Sequence, residues 1–452
     1  MRGIIINDLV QAVGGRLVGG MEDLRITGVT ADTRALKPGE VFFALVGENT
    51  DGHNYVMQAL EKGAAAAVVS REVNICGGLV YVQDTLKALG DFAAWYRKRL
   101  PVRVVGVTGS VGKTTAKEMI AAVLSRRFEV LKNEGNFNNE IGVPLTIFQL
   151  ADNHQVLVQE MAMRLPGEIA YLARICMPDI GVITNIGLSH IERLGSQDAI
   201  AAAKAELLEN LTPDGAAVLN ADDPYYEFLA EKTSEEIVSY GVKNGDVRGE
   251  DITIDESGRA AFNIIVGNTK ERVSLPVVGR HNVYNALAAA AVGLCFGLPL
   301  SEIAAGIENA PQIDKRAKVF VSNGGWTVYD DTYNAAPASV HSALETLALM
   351  KCGRRIAVLG DMLELGEYAE AAHKEIGRAA AQSGLSLLVT VGSIADNIAA
   401  GASEKNDSLE IRRFASSDEA AEVIRGMVQP DDVVLVKGSR AMRMEKIVEA
   451  LR

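Results

Sequence analysis

The chain has 452 residues, a length for about three domains, and carries 45 Lys+Arg against 58 Asp+Glu, a formal net charge of −13. So acidic a chain is a poor partner for nucleic acid or for an anionic membrane, both of which need a basic surface. Its 48% hydrophobic and 23% charged residues are the composition of a soluble globular protein that buries several cores, not of a disordered chain.

At the start, Ile4-Ile5-Ile6 before Asn7-Asp8 is too short an apolar region for a signal peptide. Short β-type runs follow at residues 41–45, 66–69 and 79–82, with helical patterns near 55–62 and 85–99. This small α/β unit ends at Arg97-Lys98-Arg99 and Pro101. From 101 to about 311 the pattern becomes strand-then-helix: an apolar run at 102–107, a Gly-rich turn, and an amphipathic helix over 115–125. Buried-strand candidates follow at 155–160 and 179–185. Continuous apolar runs alternating with helices predict a parallel sheet covered on both faces. The stretch 281–301 has no formal charge, but its apolar body 286–296 is mostly alanine and is broken by Gly297-Leu298-Pro299. A membrane span needs about 20 strongly apolar residues, so a core helix is expected there. From 319 the alternation restarts, with strand candidates at 326–330, 355–359, 387–391 and 432–436. The expected architecture is therefore α/β with three domains: a small N-terminal α/β domain (1–100), a central P-loop parallel-sheet ATPase domain (101–313) and a C-terminal Rossmann-like domain (314–452). Cys76, Cys176, Cys295 and Cys352 show no ligand spacing and read as thiols of a reducing compartment, so a cytoplasmic protein without a membrane span is expected.

The sharpest motif is Gly106-Val107-Thr108-Gly109-Ser110-Val111-Gly112-Lys113-Thr114-Thr115, between a predicted strand and a predicted helix. Glycines let backbone N–H groups close on an anion, the helix N-terminus adds its positive end, and a lysine neutralises terminal phosphates. Thr114 is placed to ligate Mg²⁺ through its hydroxyl. Val107 stands where the strict P-loop pattern wants glycine, although the shorter core Thr108-Gly109-x-x-Gly112-Lys113-Thr114 is intact. The bland alternative is an ordinary Gly-rich strand-to-helix turn.

Glu160 closes the run Val156-Leu157-Val158-Gln159, and His190 follows the run 180–184 through Asn185-Ile186-Gly187-Leu188-Ser189. Ligands of open α/β sheets bind beyond the carboxyl ends of the strands, so the P-loop, Glu160 and His190 are expected in one crevice. A carboxylate and an imidazole there suit a divalent cation bridging phosphates and a second substrate. Lys204 is unusual. In the helical stretch 198–211, Ile200, Ala203, Leu207, Leu208 and Leu211 form one stripe, and Lys204 lies on it. Its stem could snorkel out of the core, or desolvation could lower the amine pKa until it reacts. Position alone leaves both open.

Read together, these motifs resemble the Mur ligase family of ATP-dependent amide-forming enzymes, along the whole chain. Asp32-Thr33-Arg34-x-x-x-Pro38-Gly39-Glu40-Val41-Phe42-Phe43-Ala44 and Asp51-Gly52-His53 are similar to the family's uridine-nucleotide-binding domain. Asn133-x-Gly135-Asn136-Phe137-Asn138-Asn139-Glu140-x-Gly142-x-Pro144 resembles the segment after the P-loop helix, and Thr184-Asn185-Ile186-Gly187-x-x-His190-Ile191-Glu192 the metal-histidine loop. Lys204 falls where the family carries a carbamylated lysine. Gly279-Arg280-His281-Asn282-Val283-Tyr284-Asn285-Ala286 resembles the adenine-side segment, and Arg316 and Asp331 sit where the family's C-terminal domain closes on ATP.

Three segments resemble the member that adds D-alanyl-D-alanine to UDP-N-acetylmuramoyl-tripeptide: Asp330-Asp331-Thr332-Tyr333-Asn334-Ala335-x-Pro337, Gly360-Asp361-Met362-x-Glu364-Leu365-Gly366 and Lys437-Gly438-Ser439-Arg440-x-Met442. The Asn-Pro-Arg triplet of the diaminopimelate-adding relative is absent. Ala336 replaces an asparagine usual before that proline, and Met161-Ala162-Met163-Arg164-Leu165-Pro166 departs from the usual Glu-x-Gly.

The resemblance implies a ligase of peptidoglycan precursor synthesis that uses ATP, two Mg²⁺ ions and a carbamylated Lys204, acting through an acyl phosphate. It implies catalytic roles for Lys113, Glu160, His190 and Lys204, and metal contacts from Thr114, Glu160, His190 and Lys204. ATP contacts fall on Gly109, Ser110, Val111, Gly112, Lys113, Thr114 and Thr115, with Asn282, Asn285, Arg316 and Asp331. Substrate contacts fall on Thr33, Arg34, Asp51, Gly52, His53, Asn138, Asn139, Tyr333 and Asn334. A monomer is expected, closing about hinges near 100–101 and 311–318 so that water is kept from the acyl phosphate. The rivals are a folylpolyglutamate synthetase-like ligase, a P-loop kinase or nucleotide switch that makes no amide, and a nucleotide-binding scaffold without catalysis.

Overall fold

A computed structural model describes residue 1 and residues 3–452. Three sheets follow one another along the chain. The first has five strands in the order Arg16–Val18, Leu79–Tyr81, Ala66–Val69, Glu40–Phe43, Gly28–Thr30, parallel except for its first pair. Its three inner strands are apolar on both faces because both are covered: Val41 and Phe43 face the core that holds Leu89 and Phe92, and Phe42 packs with Val56 and Ala59. Leu89 and Phe92 belong to the helix Thr85–Arg97, whose first turn is capped by the Asp84 carboxylate accepting from the Leu86 and Lys87 N–H groups.

The central sheet has nine strands, in the order Thr269–Val278, Arg259–Val266, Val247–Ile254, Glu236–Gly241, Ala216–Asn220, Ile180–Ile183, Arg103–Thr108, Val156–Glu160, Val130–Lys132. From Val247–Ile254 to Val130–Lys132 every pair is parallel, as the continuous apolar runs predict. The remaining edge differs. Val247–Ile254, Arg259–Val266 and Thr269–Val278 form an antiparallel meander that the sequence reading did not register. Its strands alternate buried and exposed residues because one face meets solvent, and its turns run through Gly258 and Gly267, both at positive φ. The alanine-rich stretch is the buried helix Asn282–Cys295, packed on the helix Lys113–Leu124 that follows the P-loop. Among the described residues no helix is long and apolar enough to cross a membrane.

The last sheet has six strands, in the order Lys318–Val321, Thr327–Asp331, Val433–Lys437, Arg355–Gly360, Leu387–Val391, Glu410–Phe414, parallel except for the first pair. The neighbouring parallel strands Thr327–Asp331 and Val433–Lys437 end in register at Asp331 and Lys437, whose side chains pair.

The two expected hinges are built differently. At the first, the buried Arg97 guanidinium donates to the carbonyls of Leu100 (3.0 Å), Val102 (2.6 Å) and Cys176 (3.0 Å), so it clasps both sides of the joint. Tyr96 and Phe92 stack on Phe148 beside it, and the Tyr96 hydroxyl donates to the Leu150 carbonyl. At the second, Lys315 and Ala317 both adopt left-handed backbone, at φ 63° and 50°. Arg97→Ala leaves three carbonyls without their donor and is expected to cost about 2–3 kcal/mol in urea unfolding. A loss below about 0.5 kcal/mol would mean that water replaces the guanidinium.

Candidate active site

The strands Arg103–Thr108, Val156–Glu160 and Ile180–Ile183 are neighbours, so their carboxyl ends open side by side. The loop after the first of them can close only because of its glycines. A Cβ on Gly109 (φ +146°) would lie 1.9 Å from Thr184 Oγ1, and one on Gly112 (φ +88°) would lie 2.5 Å from Asn285 Oδ1. The loop is then tied to the turn after Ile180–Ile183. Ser110 N–H donates to the Asn185 carbonyl (2.9 Å), Val111 N–H to Asn185 Oδ1 (3.0 Å), and Thr184 Oγ1 donates to the Val111 carbonyl (2.7 Å).

Glu160 ends its strand 2% exposed, and every polar atom of its side chain is held. Its N–H donates to Asn133 Oδ1 (2.8 Å), its Oε2 accepts from the Thr114 hydroxyl (2.7 Å), and its Oε1 accepts from Asn138 Nδ2 (2.8 Å). The hydroxyl and carboxylate of Thr114 and Glu160 form a pair of hard oxygens that suits Mg²⁺, an ion that fills the rest of its shell with phosphate and water. Among the described residues no three carboxylate, imidazole or thiolate groups gather into a ready-made metal cage.

Two amines meet at one oxygen. Lys113 Nζ and Lys204 Nζ both donate to the Gly109 carbonyl, at 2.7 and 3.0 Å. Lys204 is 2% exposed and does not snorkel; it lies on the buried face of the helix Gln197–Ala205 and its amine reaches the loop at the Gly109 carbonyl. Burial, and then the neighbouring Lys113 ammonium, push the Lys204 amine well below the ordinary lysine value. Burial also lowers Lys113, with Glu160 opposing and Arg316 adding to the shift.

His190 adopts left-handed backbone (φ 66°) at the start of the short helix Ile191–Leu194. Its Nδ1 lies 2.6 Å from a Glu364 carboxylate oxygen contributed by the C-terminal sheet. Burial lowers the imidazole pKa; Glu364 opposes this, and Lys113 and Lys204 add to it, so three neighbouring charges act on the ring.

The P-loop, Glu160 and His190 line one cavity of about 990 Å³, together with Asn282, Asn285, Arg316, Asp331, Tyr333 and Asn334. Asn285 Nδ2 donates to Asn282 Oδ1 (2.8 Å), whose own Nδ2 donates to the Val278 carbonyl (2.7 Å). The Arg316 guanidinium lies 3.8 Å over the Tyr333 ring, and Lys437 pairs with Asp331 while donating to the Asn334 carbonyl (2.9 Å). Asn139 also lines the cavity, but its Oδ1 accepts from Gly142 N–H (2.9 Å) and caps the following helix.

Thr33, Arg34, Asp51, Gly52 and His53 do not line this cavity; they belong to the first sheet's loops. Thr33 Oγ1 donates to Gln58, Arg34 pairs with Asp32, and Asp51 holds His53 and Arg71. The sequence reading quoted Asn133, Asn185, Glu364 and Lys437 inside family segments without giving them roles. Only the fold reveals that they brace Glu160, the P-loop, His190 and Asp331.

Models of three Mur ligase domains match in order: the Mur ligase family catalytic domain over 25–112, the Mur ligase middle domain over 107–293, and the Mur ligase glutamate ligase domain over 315–440. The UDP-N-acetylmuramoyl-tripeptide--D-alanyl-D-alanine ligase of Bacillus subtilis is 36% identical, covering 99% of this chain and 98% of the relative. The crystal structure of MurF from Acinetobacter baumannii superposes with a TM-score of 0.92 at 33% identity, covering 99% of this chain and 98% of that one. The MurF ligase from Thermotoga maritima in complex with ADP gives 0.84 at 29% identity, over 95% and 98%.

The depressed Lys204 amine has a stability consequence with a definite sign. The unfolded chain binds a proton there that the folded chain resists, so folding gains stability as pH rises from the depressed value toward the ordinary 10.5. In bicarbonate-free buffer, Lys204→Met is expected to be more stable than the parent at pH 7, by about 1 kcal/mol or more. Its advantage should shrink as the pH is raised. Equal melting of the two proteins at pH 7 and 9 would show that the amine is protonated and solvated instead.

Proposed function

The chain belongs to the Mur ligase family, and we propose that it joins D-alanyl-D-alanine to the terminal carboxylate of UDP-N-acetylmuramoyl-tripeptide, using ATP, in peptidoglycan precursor synthesis. The observation that carries this reading is the near-complete match to the D-alanyl-D-alanine-adding relative together with the cavity in which the P-loop lysine, Glu160 and His190 face Arg316 and Asp331. We assign uridine-nucleotide binding to residues 1–100, ATP binding to 101–313 and the ligase closure to 314–452. A cytoplasmic monomer is the form this reading expects.

A carboxylate resists attack by an amine because it is resonance-stabilised and negatively charged. Transfer of the γ-phosphoryl group of ATP makes it an acyl phosphate, whose carbonyl accepts the dipeptide amine; a tetrahedral intermediate forms and phosphate leaves. Lys113 neutralises charge on the transferred phosphoryl group, and the amides of the Gly109–Thr115 loop orient it. Mg²⁺ bound at Thr114 and Glu160, with His190 at the rim, would spread the remaining phosphate charge. Asn138 keeps the Glu160 carboxylate aimed by holding its second oxygen. Asn282 and Asn285, in the cavity wall beside Gly112, would contact the nucleotide, and Arg316, stacked on Tyr333, would close over it. Lys204 supports carbamylation because its amine is biased to the neutral form; that nitrogen attacks CO₂ and loses a proton, leaving an N-carboxylate under the loop. On the first sheet, Thr33, Arg34 and the Asp51-Gly52-His53 turn would hold the uridine nucleotide.

Phosphate release measured with ATP, UDP-N-acetylmuramoyl-tripeptide and D-Ala-D-Ala, each omitted in turn, should fall to background on every omission. Full-rate release without the dipeptide would point to a kinase or switch, and release with glutamate in its place to a folate-type ligase. Lys113→Ala should lose turnover by about 10³-fold or more with an unchanged melting curve. Lys204→Ala should be inactive and partly regain turnover when a short carboxylic acid is added. Full activity without added acid would remove the carbamate from the mechanism.

A further inference from the structure

The loop after the strand Arg355–Gly360 is anchored on all sides but one. Met362 N–H donates to His373 Nε2 (2.9 Å), Leu363 N–H donates to Ser439 Oγ (2.8 Å), and Met362 and Leu365 are buried in the C-terminal core. Glu364, between them, is turned outward by a left-handed backbone at φ 63°. That conformation is unfavourable for a non-glycine residue and persists where the surroundings dictate it. Here they are the metal-histidine loop of the central domain. Glu192 N–H donates to the Glu364 carbonyl (3.3 Å), Gly366 lies against Glu192, and the Glu364 carboxylate stands 2.6 Å from His190 Nδ1. His190 is itself left-handed, so two residues in costly conformations face each other across the domain boundary. His190 Nδ1 is buried and has no other hydrogen-bond partner among the described residues, so the Glu364 carboxylate at 2.6 Å, an ion-pair contact rather than an aligned hydrogen bond, is the charged group that faces it.

A neutral imidazole carries one N–H. Whichever nitrogen faces a carboxylate keeps the proton, and the other is left with a bare lone pair, the only form that binds a cation. The Glu364 contact therefore puts the proton on Nδ1 and leaves Nε2 bare, the arrangement by which a carboxylate behind a histidine orients a metal ligand. We propose that Glu364 is the positioning residue for His190, and that docking of the C-terminal domain sets the histidine's metal-binding tautomer. This rests on the reading of His190 as a metal ligand. Phosphoryl transfer is thereby tied to closure: with the domain swung away, His190 loses the group that holds its proton on Nδ1, and the ATP site is incomplete.

The test uses the full-length protein labelled with ¹⁵N-histidine, in EDTA with saturating ADP and acceptor nucleotide to keep the domains docked. Ring-nitrogen shifts, with His190 assigned by its loss in His190→Gln, should show Nδ1–H in the parent and a shift toward Nε2–H in Glu364→Ala. In turnover assays Glu364→Ala should lower kcat about 10- to 100-fold and raise the half-saturating Mg²⁺ concentration about tenfold, with the KM for ATP within about twofold of the parent. Glu364→Gln, whose amide oxygen still accepts from Nδ1, should recover most of both. If Glu364→Ala melts early, Glu364→Met, similar in size and unable to accept, takes its place against Glu364→Gln. An unchanged His190 tautomer in the Ala or Met variant overturns the proposal, as does a kcat within about twofold of the parent. The ring-nitrogen readout needs no turnover. A parent protein that fails to couple phosphate release to the dipeptide therefore overturns the ligase reading and leaves this contact to be judged separately.

Discussion

One carbonyl oxygen organises the active site. The Gly109 C=O receives the amines of Lys113 and Lys204, which come from opposite sides: one from the helix the P-loop opens, the other from the helix Gln197–Ala205. Two buried ammonium groups on one acceptor repel each other and are poorly solvated, so at least one is driven toward the neutral amine. The arrangement places one amine with a free lone pair beneath the loop and a second amine beside it. Both positions depend on the Gly109 carbonyl, which is set by a φ of +146° that only glycine adopts beside Thr184.

The rest of the central domain is arranged to hold that oxygen still. The turn at Thr184 and Asn185 is tied to Ser110 and Val111 of the loop by four hydrogen bonds. A second set of contacts holds the adjacent strand end. Lys117, 1% exposed, donates to the Asn133 carbonyl (2.6 Å), and the Asn133 side chain receives the Glu160 N–H. Such networks are costly to leave half-made, since each buried polar atom that loses its partner forfeits about 1–3 kcal/mol. The site is accordingly rigid where the phosphates would lie. The domain joints differ: the Arg97 clasp ties the first domain to the second, whereas the left-handed pair at Lys315 and Ala317 leads into the third.

Much of this was legible along the chain, for definite reasons. Strands buried on both faces read as unbroken apolar runs, so Val156–Glu160, Arg355–Gly360 and Leu387–Val391 were found within a residue or two. The glycine spacing and the Lys113-Thr114 ending marked the phosphate loop, because backbone geometry and local charge are properties of neighbouring residues. The inward face of Lys204 was visible in helical periodicity. The meander Val247–Val278 is hard to read because its strands are half-solvated, so no unbroken apolar run marks them, although the two-residue turn Gly267-Asn268 is a hairpin signal.

Sequence alone, then, determined the doubly covered strands, the phosphate loop and the candidate chemistry of Lys113, Glu160, His190 and Lys204, since each depends on interactions within a few residues or on a repeating face. Only the tertiary structure decided who holds those groups. Asn185 on the loop, Asn133 on Glu160, Lys437 on Asp331 and Glu364 on His190 are separated from their partners by 27 to 174 residues. No local rule relates such positions. They meet because parallel strands bring distant carboxyl ends to one edge of the sheet, and because a third domain docks its own strand ends against that edge.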